Sequence, residues 1–225
     1  QIFGRRAAYA LRALTTDPCM QGGDTVWSMP LLHALQILLD RVVDSPPRII
    51  RCQPSRAPIL LFTDGACAEV TSHGACLIDV ENGLRLCWGA VVEECVCLAW
   101  SSDPMAQLVG QAEISPVVAS IYLWRSLLRH RQVVVFVDNN SAKDALVSGA
   151  SPVLASDLLL RSCAIAEDDA EASFWYTRVT SESNVADWAS RLQFEPLVEL
   201  GFTRVPLGSC VDIAGGRRPA WGSCS

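Results

Sequence analysis

The sequence predicts an α/β domain on a mixed sheet, with the element order βββαβααβα from residue 59 onward. Three observations predict it. Residues 59 to 92 hold three β-favouring runs joined by short turns. Val133 to Val137 is an almost wholly apolar run, the mark of a central strand buried on both faces. Segments with helical apolar spacing follow both regions.

Ile59 to Thr63 is the first expected strand, Gly74 to Val80 the second and Leu84 to Val92 the third, with Glu81-Asn82-Gly83 as the turn between the last two. Short connections make this an antiparallel meander. Val109 to Arg129 reads as one helix, because Ile114, Val117, Val118, Ile121, Trp124, Leu127 and Leu128 fall near one face. The strand Val133 to Val137 follows. Ser141 to Val147 and Pro152 to Ala166 read as helices, the second opened by Ser151-Pro152. Ser173 to Val179 is the last expected strand and Val185 to Leu192 a short last helix.

The flanks differ. Arg5 to Leu14 and Leu31 to Val43 carry helical apolar spacing, separated by Gly22-Gly23 and closed by Ser45-Pro46-Pro47. Residues 1–56 therefore read as a short helical segment with no strand, 57–193 as the α/β domain, and 194–225 as an irregular Gly-, Pro- and Ser-rich tail. The chain begins at Gln1 without a signal-peptide pattern, which reads as a segment cut from something longer.

Bulk properties narrow the class. Half of the 225 residues are apolar and few are charged, so a folded core is expected rather than disorder. No apolar run reaches the length of a membrane helix, so no membrane partner is expected. Ten cysteines stand mostly in apolar contexts with no CxxC pair; Cys95 and Cys97 are spaced like same-face strand residues. Free buried thiols and an intracellular, reducing compartment are the expectation. The net charge of -6 argues against holding nucleic acid by bulk positive charge. That argument weakens if several acids belong to one metal site.

Two expected strands exit into aspartate, at Asp64 (FTD) and Asp138 (FVD). Carboxylates brought together at adjacent strand ends repel unless they are protonated or bridged by a cation, and hard divalent ions prefer such oxygen ligands. Glu113 and Asp187, near the heads of two helices, are the further candidates. Each also has an ordinary reading. Asp-Gly is a common turn, Glu113 and Asp187 suit helix first turns, and Asp138-Asn139-Asn140 suits a turn with Asn140 or Ser141 as helix cap.

Together, FTDGA at Asp64, QAE at Glu113, FVDNNSA at Asp138 and RVTSESNVADWASR around Asp187 resemble the four acidic blocks of ribonuclease H, in family order. The wording is most similar to the ribonuclease H domains attached to reverse transcriptases of DIRS-like retrotransposons. The resemblance spans roughly residues 59–192 and implies a five-stranded mixed sheet with helices on both faces. It further implies hydrolysis of the RNA strand of RNA:DNA hybrids by two Mg2+ ions, with Mn2+ as a substitute. Asp64, Glu113, Asp138 and Asp187 would be both the catalytic acids and the metal ligands. Asp64 would bridge both ions, Glu113 and Asp138 would hold the ion near the leaving group, and Asp187 the ion that activates water. Residues 1–56 then look like the end of an upstream reverse transcriptase polymerase domain in the same polyprotein.

For the hybrid, Gly65 and Ala66 are small enough for close approach, and Asn139 can donate to a base edge or sugar. Lys143, the only lysine, and Arg178 are further substrate-binding candidates, with Arg125, Arg129, Arg131, Arg161 and Arg191 as other phosphate contacts.

The sequence departs from the family in three places. Pro116 puts Glu113 on an extended approach with Ser115 as helix cap, or before a kink. The loop that carries a mobile histidine in many members reads Thr180-Ser181-Glu182-Ser183. A basic handle helix is absent. The competing readings are a catalytically silent structural domain of the same fold and another two-metal nuclease of that fold.

Overall fold

A computed structural model describes residues 56–102 and 107–206, together with the isolated helical and exposed positions Leu32, Leu35, Gln36, Leu39 and Val43. The expected helix at residues 5–14 and the tail beyond residue 206 lie outside the described residues, as does most of the expected helix at 31–43.

The sequence pattern of the meander is realised as β1 (Ile59–Cys67), β2 (Thr71–Asp79) and β3 (Leu84–Val91), antiparallel throughout. Gly83 turns the β2–β3 hairpin at φ 64°, a conformation glycine adopts without steric cost. Helices α1 (Glu94–Ser101), α2 (Leu108–Leu123) and α3 (Arg125–Leu128) follow. Then come β4 (Gln132–Val137), α4 (Asn140–Ser148), α5 (Leu154–Ala170) and β5 (Ser173–Arg178). A short 3-10 turn at Ser181–Ser183 leads to α6 (Ala186–Ser190), α7 (Glu195–Glu199) and β6 (Thr203–Arg204).

The six strands lie in the order β5-β4-β1-β2-β3-β6. β4 joins β1 in parallel with Leu61 beside Val135, and β5 joins β4 in parallel. The sheet is therefore mixed, and its parallel strands β1 and β4 are central, as their apolar sequences require.

One face carries the main core. Ile59, Leu61, Ala75, Leu77, Trp88, Val133 and Val135 form one core cluster with α2 and α5, and residues 111–121 of α2 are all buried because α5 covers its far side. The Trp88 indole donates to Ser120 Oγ at 3.0 Å and satisfies the one polar atom that this burial would strand. The other face carries a smaller core of Cys76, Cys87, Ala189, Phe194, Leu197 and Phe202 beneath α6 and α7.

Several expectations are corrected. Among the described residues the sheet has six strands, one more than expected, because β6 adds to the β3 edge. Residues 194–206 are not an irregular tail: Phe194, Leu197 and Phe202 are buried, and Arg204 lies over the Phe194 ring at 3.8 Å. The expected helix 109–129 breaks at buried Trp124 (φ -104°, ψ 17°). Cys95 and Cys97 lie in a helix, so their alternation is not that of a strand; the acids Glu93 and Glu94 marked its start. Cys67, Cys76, Cys87, Cys97 and Cys163 are free thiols, whereas Cys95 is disulfide-bonded, so the free-thiol reading fails there. No described helix is long and apolar enough to cross a membrane.

Candidate metal centre

β1 does not end at Asp64. It runs on to Cys67, with Asp64 paired to Gly74 and Gly65 to His73, so Asp64-Gly65 is strand and not the turn its sequence suggests. Asp64 is thereby held rigidly beside the adjacent end of β4.

Glu113 comes from inside α2, in its second turn, and Pro116 lies within the same helix. The expectation of an extended Glu113 with Ser115 as cap is thus wrong. Pro116 has no N–H to give to the carbonyl of Ala112, and that carbonyl instead accepts from Ser115 Oγ at 3.3 Å. The same stretch of backbone lies against β1. A Cβ on Gly65 would stand 2.4 Å from Ala112 C and O and 2.7 Å from the Glu113 nitrogen. Gly65 therefore serves helix-on-strand packing.

Asp138 follows β4 directly. Asn139, and not Asn140 or Ser141, caps α4: its Oδ1 accepts the Ala142 N–H at 3.0 Å. Only the Asn139 amide NH2 is left to donate outward.

One carboxylate oxygen from each of Asp64, Glu113 and Asp138 lies within 4.8 Å of the others. Asp64 and Glu113 are buried, at 4% and 5% exposed, and Asp138 is half-buried. Asp187 is not in this group. Its Oδ1 accepts from Arg191 Nε at 2.9 Å one helical turn on, and its charge still reaches Asp64.

Burial, then the charges of Asp138 and Asp187, outweigh a hydrogen bond from Ser190 and push Asp64 up to about 6. Burial and the charges of Asp64 and Asp138 push Glu113 up to about 9, against the pull of the Gly65 N–H. Glu113 Oε2 is buried with no hydrogen-bond partner among the described residues. An all-oxygen set of crowded, desolvated carboxylates with an unmatched lone pair fits a hard divalent cation, which would replace the missing positive charge.

Three polar residues that the sequence reading passed over hold these acids. Asn184 Nδ2 donates to Asp64 Oδ1 at 3.3 Å and to Thr63 O at 3.1 Å, while Ser190 Oγ donates to Asp64 Oδ2. Both oxygens of Asp64 are thus fixed from the 184–190 segment. Ser181 Oγ donates to Asp138 Oδ2 at 2.9 Å, from the Thr180-Ser181-Glu182-Ser183 loop; Glu182 beside it is exposed. Their signal was available only as Asn and Ser flanking Asp187.

Helix α6 reaches the strands because glycines leave room. A Cβ on Gly74 would stand 2.5 Å from Ala189 C, and one on Gly89 2.0 Å from Ala189 O.

The expected phosphate contacts divide. Arg131 is buried and donates through both Nη atoms to Asp79 at 3.0 and 3.1 Å, so it is structural. Arg129 pairs with Glu171, Arg161 with Asp157 and Arg191 with Asp187. Lys143 pairs with its neighbour Asp144 on α4. Arg178 is exposed at the end of β5, and Ala66 is half-buried near the end of β1.

No protein-family model matches the chain, and no curated protein does. Solved structures do. RNase H1 from the halophilic archaeon Halobacterium salinarum NRC-1 aligns at 14% identity over 62% of this chain and 99% of its own, with a TM-score of 0.46. LC11-RNase H1 in complex with an RNA/DNA hybrid aligns at 14% over 62% and 99%, TM-score 0.47. The N-terminal RNase H domain of a Mycobacterium tuberculosis protein, solved as a maltose-binding-protein fusion, aligns at 14% over 64% and 98%, TM-score 0.44. The fold class itself rests on the strand order and pairing of this chain.

Proposed function

We propose that the chain is a metal-dependent ribonuclease H that hydrolyses the RNA strand of RNA:DNA hybrids, as part of a retroelement reverse transcriptase. The observation that carries this reading is the gathering of Asp64, Glu113 and Asp138 within 4.8 Å from three separate elements. Hydrolysis of a phosphodiester needs a water made nucleophilic and a leaving 3′ oxygen relieved of charge. Mg2+ or Mn2+ held by Asp64, Glu113 and Asp138 would supply both.

The chain's own residues do the positioning. Asn184 and Ser190 fix the two oxygens of Asp64, the Gly65 N–H restrains Glu113, and Ser181 restrains Asp138. Asp187 is the fourth acid of this reading, and Arg191 must release it for a second ion to be held. Ala66, the free amide NH2 of Asn139, Lys143 and Arg178 face the hybrid. Residues 1–56 are the end of the polymerase region, and the α/β domain runs from 57 through 206.

Labelled RNA:DNA hybrid, duplex RNA and single-stranded RNA, incubated with Mg2+, Mn2+ or chelator, test the proposal. Hybrid RNA is cut, and cutting stops with chelator and in Asp64→Asn. A folded protein that cuts nothing with either metal refutes the proposal and favours a silent structural domain. Cutting of another substrate in place of hybrid favours a different nuclease of this fold.

A further inference from the structure

A groove of about 660 Å3 lies outside the acidic cluster, between α4 and β5. Lys143, Asp144 and Val147 line one side and residues 174–178 the other. Successive strand side chains point to opposite faces, so a lining of five consecutive residues means that the groove follows the edge of the strand. Among the described residues, β5 is the end strand of the sheet and pairs only with β4.

Two side chains give this edge its character. Trp175 is 68% exposed, an unusual placement for the largest aromatic residue. Arg178 has no carboxylate partner among the described residues, whereas Lys143 is paired with Asp144. The groove therefore carries one uncompensated positive charge and one open aromatic face.

Its position connects it to the acids. Arg178 stands abreast of Val137, the residue before Asp138, and α4 begins directly after Asp138 with Asn139 as its cap. Trp175 lies three residues back along β5, about 10 Å from Arg178 at the strand rise of about 3.3 Å per residue. The odd spacing turns the two side chains to opposite faces of β5, and both line the groove along its edge, so a chain that follows that edge from Asp138 passes Arg178 first and Trp175 next.

We propose that this groove binds single-stranded nucleic acid, the unpaired tail of a duplex engaged at the acidic cluster, with Trp175 stacking on a base and Arg178 and Lys143 against phosphates. The proposal rests on the reading of the acidic cluster as a site that acts on nucleic acid, and deepens it. The chemistry selects a single strand, because an unstacked base offers its π-face to an aromatic side chain and a paired base inside a duplex does not. A peptide strand added to the open edge would use the backbone of β5 and leave the Arg178 charge unmatched.

Fluorescence anisotropy with the full chain in chelator tests it, using labelled RNA:DNA hybrids that are blunt or carry an overhang of about ten nucleotides, within the site size of such grooves. An overhang on at least one strand end tightens binding by about tenfold, the scale of one stacked base. Trp175→Ala abolishes that gain, Trp175→Phe keeps most of it, and Arg178→Ala lowers the salt slope by about one. Trp175 is exposed, and an unchanged circular dichroism spectrum and thermal midpoint verify the fold of each variant. No gain from any overhang, or an equal gain in Trp175→Ala, overturns the proposal; the second result places the overhang's contacts outside this groove. Cleavage of blunt hybrid is read separately with metal. Overhang binding through Trp175 without cleavage removes the nuclease and keeps the groove, while cleavage without a Trp175 effect does the reverse.

Discussion

Asp64→Asn should make the metal-free protein more stable at pH 8. The Asp64 carboxyl titrates at about 6 in the fold against 3.8 as a free side chain. At about 1.36 kcal/mol per tenfold in proton affinity, the difference is about 3 kcal/mol of native-state cost above pH 6. The sign follows from proton counting. Below pH 3.8 both states hold the proton and there is no cost. Between 3.8 and 6 the folded state holds it and the unfolded state does not, so stability falls as pH rises, and the full cost applies above 6. Asparagine carries no charge to desolvate and still accepts one of the hydrogen bonds from Asn184 and Ser190. Losing the charge-assisted character of those bonds returns about 1 kcal/mol or more, so the net gain is about 1–2 kcal/mol. Urea denaturation of wild type and Asp64→Asn in chelator, at pH 4 and pH 8, measures it. The variant gains at pH 8 and not at pH 4, and Mg2+ stabilises only the wild type appreciably. Destabilisation of the variant at pH 8 in chelator would refute the reasoning, since Asp64 would then be a satisfied structural acceptor and not a carboxylate held against its own charge.

His73 is buried and its imidazole is depressed from 6.5 to about 4 by that burial, so its contribution is present above pH 6.5 and lost as pH falls through 4. The loss is about 3 kcal/mol by pH 4, and His73→Gln flattens the acid limb of a stability profile measured by urea denaturation. Gly89→Ala drives a methyl group to 2.0 Å from Ala189 O; it should cost about 3 kcal/mol in denaturant midpoint analysis and weaken Mg2+ binding by moving Ser190 off Asp64. Arg131→Ala leaves Asp79 buried without its bidentate partner and should cost about 3–5 kcal/mol, while the double variant Arg131→Met with Asp79→Leu should recover most of that loss.

The strands were legible because burial writes itself into composition: Val133 to Val137 is apolar on both faces, and it sits centrally between β1 and β5. What was not legible depends on neighbours distant in sequence. Pro116 reads as a helix start, yet it sits inside α2, where a proline costs about 3 kcal/mol as a rule. Tertiary packing of the fully buried residues 111–121 and the Ser115 bond to the freed Ala112 carbonyl offset that cost. The Cys95-Val96-Cys97 alternation failed for another reason: two residues two apart satisfy a strand, but the residues of α1 that meet the core are Val96, Cys97 and Trp100, at helical spacing.

The acids show the same division more sharply. Their positions in the sequence can be noticed one at a time, but what brings them together is backbone contact. Gly65 lets α2 lie on β1, and with it Glu113 beside Asp64; Gly74 and Gly89 let α6 lie on β2 and β3, and with it Ser190 under Asp64. A glycine in a strand weakens that strand by itself and has no side chain to advertise a role. Three such glycines facing helix backbone at distances no side chain tolerates are the physical reason that two helices converge on Asp64. The geometry of the centre is therefore set as much by residues that lack side chains as by the carboxylates. The Gly89→Ala variant, remote from every acid in sequence and carrying no charge, is the substitution that separates this account from one in which the carboxylates alone determine the site.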